Sequence, residues 1–207
     1  MSYQDWFLRV EKELQRLRKE GIQLAANVIG QTLYEDDFYT VSILDKCIRL
    51  IDGFIDMLEK RNLTCAGILL RVQIDNCLRT YALYVAENQS EISRSVYGNG
   101  KQINKMKAKD GNQMTDFYLR KELSKIDKRF DSVYKAASGY IHYSEKAFYA
   151  SVSVKEPNIL DINVGHPIRD ELDSVLQECA EAFIYFVKFQ YKLTIPVVES
   201  KNRIDAQ

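Results

Sequence analysis

The chain has 207 residues, 46% of them hydrophobic and 28% charged, which is a globular composition with enough length to bury one domain. Lys plus Arg and Asp plus Glu both number 29, so bulk charge steers the chain toward no class of partner. No stretch reaches the length of a membrane span, and the opening MSYQDWFLRVEKELQRL lacks the apolar run of a signal peptide, so no membrane partner and a cytoplasmic location are expected.

Residues 3–29 are predicted to form a first amphipathic helix, with Trp6, Phe7, Val10, Leu14 and Leu17 on one face and Gly21 as a point of interruption. An acidic turn at Glu35-Asp36-Asp37 leads to a second helix, from about Phe38 to Arg61, striped by Leu44, Ile48, Ile51, Ile55 and Leu58. A third helix, from about Leu63 to Glu87, is apolar on most sides and is expected to be central, with Gln73, Asn76 and Thr80 as its solvent strip. Arg71, Asp75 and Arg79 recur at i, i+4 and i+8 among those apolar residues. They form either an internal salt-bridge ladder or the wall of a cleft, since a charge left buried and unpaired costs roughly 3–5 kcal/mol.

Residues 88–114 read as a break. Gly98-Asn-Gly100 and Asp110-Gly111 are turn signals, and a basic turn of helix runs between Lys101 and Lys109. Gly98-Asn-Gly-Lys101 lacks the rest of a phosphate-binding loop and a preceding strand, so no nucleotide site is read there. Thr115-Asp116 then caps a long helix predicted to continue to Ser144. Leu119, Leu123, Ile126, Phe130, Val133, Ala137 and Tyr140 line one face of it, and Ser124, Lys128, Asp131, Lys135, Ser138 and His142 the other.

The period then changes from helical to alternating. Val152 and Val154, then Leu160, Ile162 and Val164, alternate with polar residues on either side of Glu156-Pro-Asn, which predicts a two-stranded hairpin over about 147–164. A lone hairpin is marginal, so it should pack on the helices or on another chain. Pro167 is placed as a first helical residue, and a closing helix runs to about Leu193. The fold expected is mainly α: a single bundle of about five long helices with one small hairpin over residues 1–195, and a loose tail over 196–207.

Between Arg94 and Lys135 there are eleven basic and five acidic residues, so this third carries about +6 and the remainder about −6. That asymmetry fits an anion-binding surface, opposite surfaces meeting in a dimer, or an ordinary solvated face. Cys47, Cys65, Cys77 and Cys179 have no paired spacing and read as reduced thiols. With two histidines and no Glu-x-x-His spacing, neither a metal nor any other cofactor is expected. What remains is His142 with Ser138 one turn and Lys135 two turns before it, and Arg71 or Arg79 on another helix. A histidine titrating near neutrality can exchange a proton with a ribose hydroxyl, while a neighbouring cation holds the phosphate. Lys101, Lys105, Tyr140 and Tyr143 are the candidate substrate contacts, as phosphate-binding lysines and base-stacking rings. Tyr134 and Tyr149 belong to the same tyrosine cluster, and His166, just before Pro167, reads as structural.

Lys135-Ala-Ala-Ser-Gly-Tyr-Ile-His142, late on a long helix of a helical bundle, resembles the Arg-x4-6-His motif of the HEPN-type domains of bacterial defence and toxin systems. Many of these are dimeric, metal-independent ribonucleases. The spacing matches, but lysine stands for arginine, a point charge in place of a planar fork. Arg71 or Arg79 would then have to supply the guanidinium. The resemblance implies a homodimer acting on RNA. The alternative is a non-catalytic helical module that self-associates or docks on an unidentified protein partner.

Overall fold

In a computed structural model of the protein, residues 2–98, 100, 102–141, 148, 151–156, 159–165 and 167–205 are described. Among them are seven α-helices and one hairpin: α1 (Tyr3–Ile29), α2 (Glu35–Glu59), α3 (Leu63–Val85), α4 (Gln89–Tyr97), α5 (Asp116–Ile126), α6 (Arg129–Ile141), β1 (Val152–Glu156), β2 (Ile159–Ile162) and α7 (Asp173–Asp205). The mainly helical bundle with one small hairpin is as expected.

Helix α3 is the central element, packed on α2, α5, α6 and α7. Its Leu70, Ile74, Cys77, Leu78 and Ala82 are buried. Phe54 of α2 stacks on Phe183 of α7 with centroids 3.9 Å apart, and Phe130 of α6 meets Phe186 edge-on at 5.3 Å. Gly21 does not interrupt α1. A Cβ there would stand 2.3 Å from the Tyr191 hydroxyl, which donates a 2.8 Å hydrogen bond to the Leu17 carbonyl. The missing side chain is what lets α7 lie close against α1.

Several expectations are corrected. Glu35, Asp36 and Asp37 are not a turn but the first turn of α2, where carboxylates favour a helix N-terminus. Gln73, Asn76 and Thr80 are not a solvent strip; all three are buried. The Gln73 and Asn76 amides converge on Gln190 of α7, while their own side-chain oxygens have no hydrogen-bond partner among the described residues. Gln73 Nε2 donates to Gln190 Oε1 at 2.6 Å, and Asn76 Nδ2 donates to Gln190 Oε1 and to the Ile43 carbonyl, both at 3.1 Å. This polar layer pins α2, α3 and α7 in one register.

The break over 88–114 contains a helix, α4, capped by the Asn88 side chain accepting from the Glu91 N–H. The basic turn after it shrinks to one 3-10 turn, Ile103–Lys105. The long helix from Thr115 is two helices. Thr115 caps α5 as expected, accepting from the Tyr118 N–H at 3.2 Å. The chain then leaves helical geometry at Asp127, whose carboxylate accepts from the Arg129 N–H at 2.9 Å. A short acid that binds the backbone two residues on competes with the helical ladder, and here it wins.

The closing helix starts later and runs further than expected. Pro167 precedes a 3-10 turn, Asp170–Leu172, and α7 continues through Pro196 to Asp205. Residues 196–205 are therefore not a loose tail: Lys201, 3% exposed, donates to the Asp37 carboxylate and the Thr32 carbonyl. The hairpin pairs Val152 with Ile162 and Val154 with Leu160. Its aliphatic residues are not packed on the helices: Val154, Leu160, Ile162 and Val164 are all exposed.

Candidate anion-binding site on helices α3, α5 and α6

Helix α3 supplies both arginines picked out in the sequence, and the structure separates them. Eight residues apart, they stand about 12 Å from each other along the axis. Arg79 Nη2 lies 2.9 Å from Asp75 Oδ1 and 2.5 Å from Asp116 Oδ1, at the start of α5. Two carboxylates thus neutralise it, and this half of the column is an internal ladder.

Arg71 has no such partner. Its Nη2 donates to the Tyr134 hydroxyl of α6, and its guanidinium carbon sits 4.0 Å from the centre of that ring. Among the described residues no carboxylate is within ion-pair distance of Arg71, and its buried Nε has no hydrogen-bond partner. Tyrosine's ring attracts the cation and its oxygen accepts one N–H, leaving donors unused.

A second guanidinium reaches the same ring. Arg120 of α5 stands 4.8 Å from the Tyr134 centroid and 5.5 Å from that of Phe117, with Nε 2.9 Å from Asp131 Oδ1. In one continuous helix, residues 120 and 131 would be about 16 Å apart. The bend at Asp127 is what joins them. Lys135 pairs with the other oxygen of Asp131 at 2.6 Å. A hydrogen bond from Lys135, followed by the nearby Arg120 charge, holds the Asp131 carboxyl below its ordinary range against a smaller burial effect. Among the described residues, Arg71, Arg120 and Lys135 bring three positive charges to a site with one carboxylate, Asp131. That is a surplus an anion such as phosphate would balance.

The other candidates divide. Ser138 donates at 2.8 Å to the Tyr134 carbonyl one turn back on its own helix, so its hydroxyl is engaged with the backbone. Lys105 lines a separate recess of about 220 Å³ with Glu87, Glu91 and Lys107. His142, Lys101 and Tyr143 lie outside the described residues, as do His166 and the side chain of Tyr140. Arg120 is the residue sequence reasoning missed, because nothing in the spacing announces a bend that swings α5 toward α6.

Among the described residues no three His, Cys, Asp or Glu side chains converge as a metal site. None of the four cysteines forms a disulfide, and burial pushes the Cys47 thiol up to about 12 and Cys77 well above its ordinary value, so neither of these two supplies a thiolate. A cleft of about 660 Å³ lies elsewhere, between the starts of α2 and α4 and the end of α7. It is lined by Tyr34, Asp36, Tyr84, Pro196 and Lys201. In comparisons with known proteins, no family model, no curated protein and no solved structure gives a significant match to this chain.

Proposed function

We propose that the chain is a HEPN-like RNA-binding protein in which Arg71 and Arg120 hold a backbone phosphate, and that His142 serves metal-independent cleavage at that phosphate. The observation that carries this reading is the Arg71 guanidinium, stacked on Tyr134 and free of any carboxylate among the described residues. It answers the departure from the family motif. Lys135 is tied to Asp131, and a lysine offers no planar fork, whereas Arg71 offers both the fork and an unspent charge. Tyr134 lies eight residues before His142 in the sequence. In the reaction envisaged, His142 takes the proton of a ribose 2′-hydroxyl as its oxygen attacks the neighbouring phosphorus. The bond from phosphorus to the 5′-oxygen breaks, and that oxygen takes its proton from water. The arginines stabilise the charge gathering on the phosphoryl oxygens. A role in bacterial defence follows from the resemblance alone.

The test is a panel of single-stranded RNAs incubated with the protein in EDTA, with binding measured in parallel by fluorescence anisotropy. The wild type should cleave, and His142→Ala should bind without cleaving. Arg71→Met should lose about 10- to 100-fold in affinity, the equivalent of about 1.5–3 kcal/mol for a hydrogen bond to a charged group. Its thermal stability should be equal to or above wild type, because it removes a part-buried cation with no acid partner. Wild-type affinity in Arg71→Met would sink the phosphate site. Cleavage surviving in His142→Ala would sink the catalytic assignment.

A further inference from the structure

A site that only held an anion would take any phosphate. The ring that stands beside Arg120 narrows the choice. Phe117 of α5 is 67% exposed, more than any other aromatic ring among the described side chains. Its centre lies 5.5 Å from the Arg120 guanidinium carbon, which is itself 4.8 Å from the centre of Tyr134. Arg71 stands 4.0 Å from that same centre. Cation, ring, cation and ring thus follow one another from Arg71 through Tyr134 and Arg120 to Phe117, and the last ring is the one left open to solvent.

The packing of α5 leaves this ring out. At about 100° per residue, Phe117 stands about 140° round the helix from the centre of the buried stripe made by Leu119 and Leu123. The start of the helix is closed by the Thr115 side chain, with Asp116 as its first-turn acid. Arg120 has other holds, in Asp131 and the Tyr134 ring. A lone exposed apolar residue is ordinary on a protein surface. One whose ring meets a guanidinium at the edge of a phosphate site is placed for a ligand that carries both a phosphate and a flat ring.

We infer that Phe117 is the stacking platform for a nucleobase of the strand whose phosphate Arg71 and Arg120 hold. The platform depends on the phosphate site proposed for those two arginines and adds to it. The guanidiniums fix where the backbone lies, and the ring makes the site prefer a phosphate that carries a base over one that does not. Arg120 joins the two parts, lying against the ring on one side and facing the phosphate on the other, so the stacked base belongs to the held nucleotide or to its immediate neighbour. Every base has a π face, so the platform reads the presence of a base and is tolerant of its identity. A guanidinium beside the ring adds to the stack by its own attraction for π faces.

The test uses the full chain carrying His142→Ala, so that no RNA is consumed, and two labelled probes of equal length: a short single-stranded RNA, and the same sugar–phosphate backbone without bases. By fluorescence anisotropy, Phe117→Leu in this background should lose about 5- to 150-fold in affinity for the RNA, the range expected of one base–aromatic stack, and nothing for the abasic strand. Phe117→Trp keeps a flat ring and should bind the RNA at least as tightly as the parent. Helical circular dichroism should be unchanged in both, because the ring is exposed. Undiminished RNA affinity in Phe117→Leu would overturn the inference. Equal losses for the two probes would also overturn it, by making the ring a prop for Arg120. In either case a continued loss in Arg71→Met would show that the phosphate site stands without the platform. Binding of neither probe by the parent would overturn the phosphate site and the platform together.

Discussion

Lys201 decides whether the last ten helical residues matter to the fold. Its ammonium, 3% exposed, lies against the Asp37 carboxylate, itself 5% exposed, and 4.4 Å from the centre of the Tyr34 ring. Removing one member of a buried pair leaves the other charged and desolvated, at about 3–5 kcal/mol. Lys201→Met is the cleaner perturbation. It keeps the length of the side chain and leaves the Asp37 carboxylate still accepting from the Tyr34 N–H at 2.8 Å. At about 2–4 °C per kcal/mol for a chain of this size, the expected loss is about 10 °C in Tm by differential scanning calorimetry. Asp37→Asn should cost a similar amount. The double variant Asp37→Asn/Lys201→Met should recover most of the loss, because no uncompensated charge remains. A Lys201→Met protein melting within about 2 °C of wild type would mean that residues 196–205 do behave as a tail and that the burial argument is wrong.

Two further outcomes follow from the same reasoning. Asn76→Ala should lower stability by about 2 kcal/mol in urea unfolding, since it strips Gln190 and the Ile43 carbonyl of a buried donor; a surface residue in its place would change it by less than about 0.5. Glu13 bridges α1 and α7, with Arg16 at 2.8 Å and Lys188 at 2.6 Å, and the hydrogen bond from Arg16 leads in holding its carboxyl down at about 2, against an ordinary 4.5. A depressed folded value means its contribution is present above pH 4.5 and is lost as pH falls toward 2. Solvent screening leaves that contribution at about 1 kcal/mol, so Glu13→Gln should be less stable than wild type by that amount at pH 6, with the two converging near pH 2.

Much of the fold was legible because hydrophobic period carries it. Leu14 and Leu17 of α1, Leu44, Ile51 and Leu58 of α2, and Ile74 and Leu78 of α3 are all fully or nearly fully buried where their spacing put them. The alternation around Glu156-Pro-Asn likewise marked the hairpin. Period fails where a polar residue finds its partner far along the chain. Gln73 looks solvent-facing until Gln190, more than a hundred residues later, is seen to bind it. It also fails where a local hydrogen bond interrupts an unbroken stripe, as Asp127 does between Leu123 and Phe130. Helix α4 had a readable signal, an asparagine cap with an acid three residues on, but nine residues between turn signals give too little period to see. At the far end the helix was expected to stop near Leu193, whereas it continues through Pro196 to Asp205 with Lys201 buried.

The site follows the same division. Sequence charge puts the basic surplus of the chain between Arg94 and Lys135, and the run Lys101, Lys105, Lys107 and Lys109 would make its first part a natural anion surface. Burial argues for Arg71 instead. A unit charge 4 Å from its partner gains about 1 kcal/mol in bulk water but about 4 kcal/mol at the effective dielectric of a protein surface cleft. An exposed lysine is screened and mobile, and binding must order its side chain. Arg71 is already held by Tyr134, half-buried, and not offset by an acid among the described residues. A phosphate meeting it encounters a charge that is both fixed and undiminished. The neighbouring Arg79, on the same helix and in a similar degree of burial, has spent its charge on Asp75 and Asp116. What would make Arg71 an anion site, where Arg79 is a strut, is therefore not the arginine but the company each one keeps.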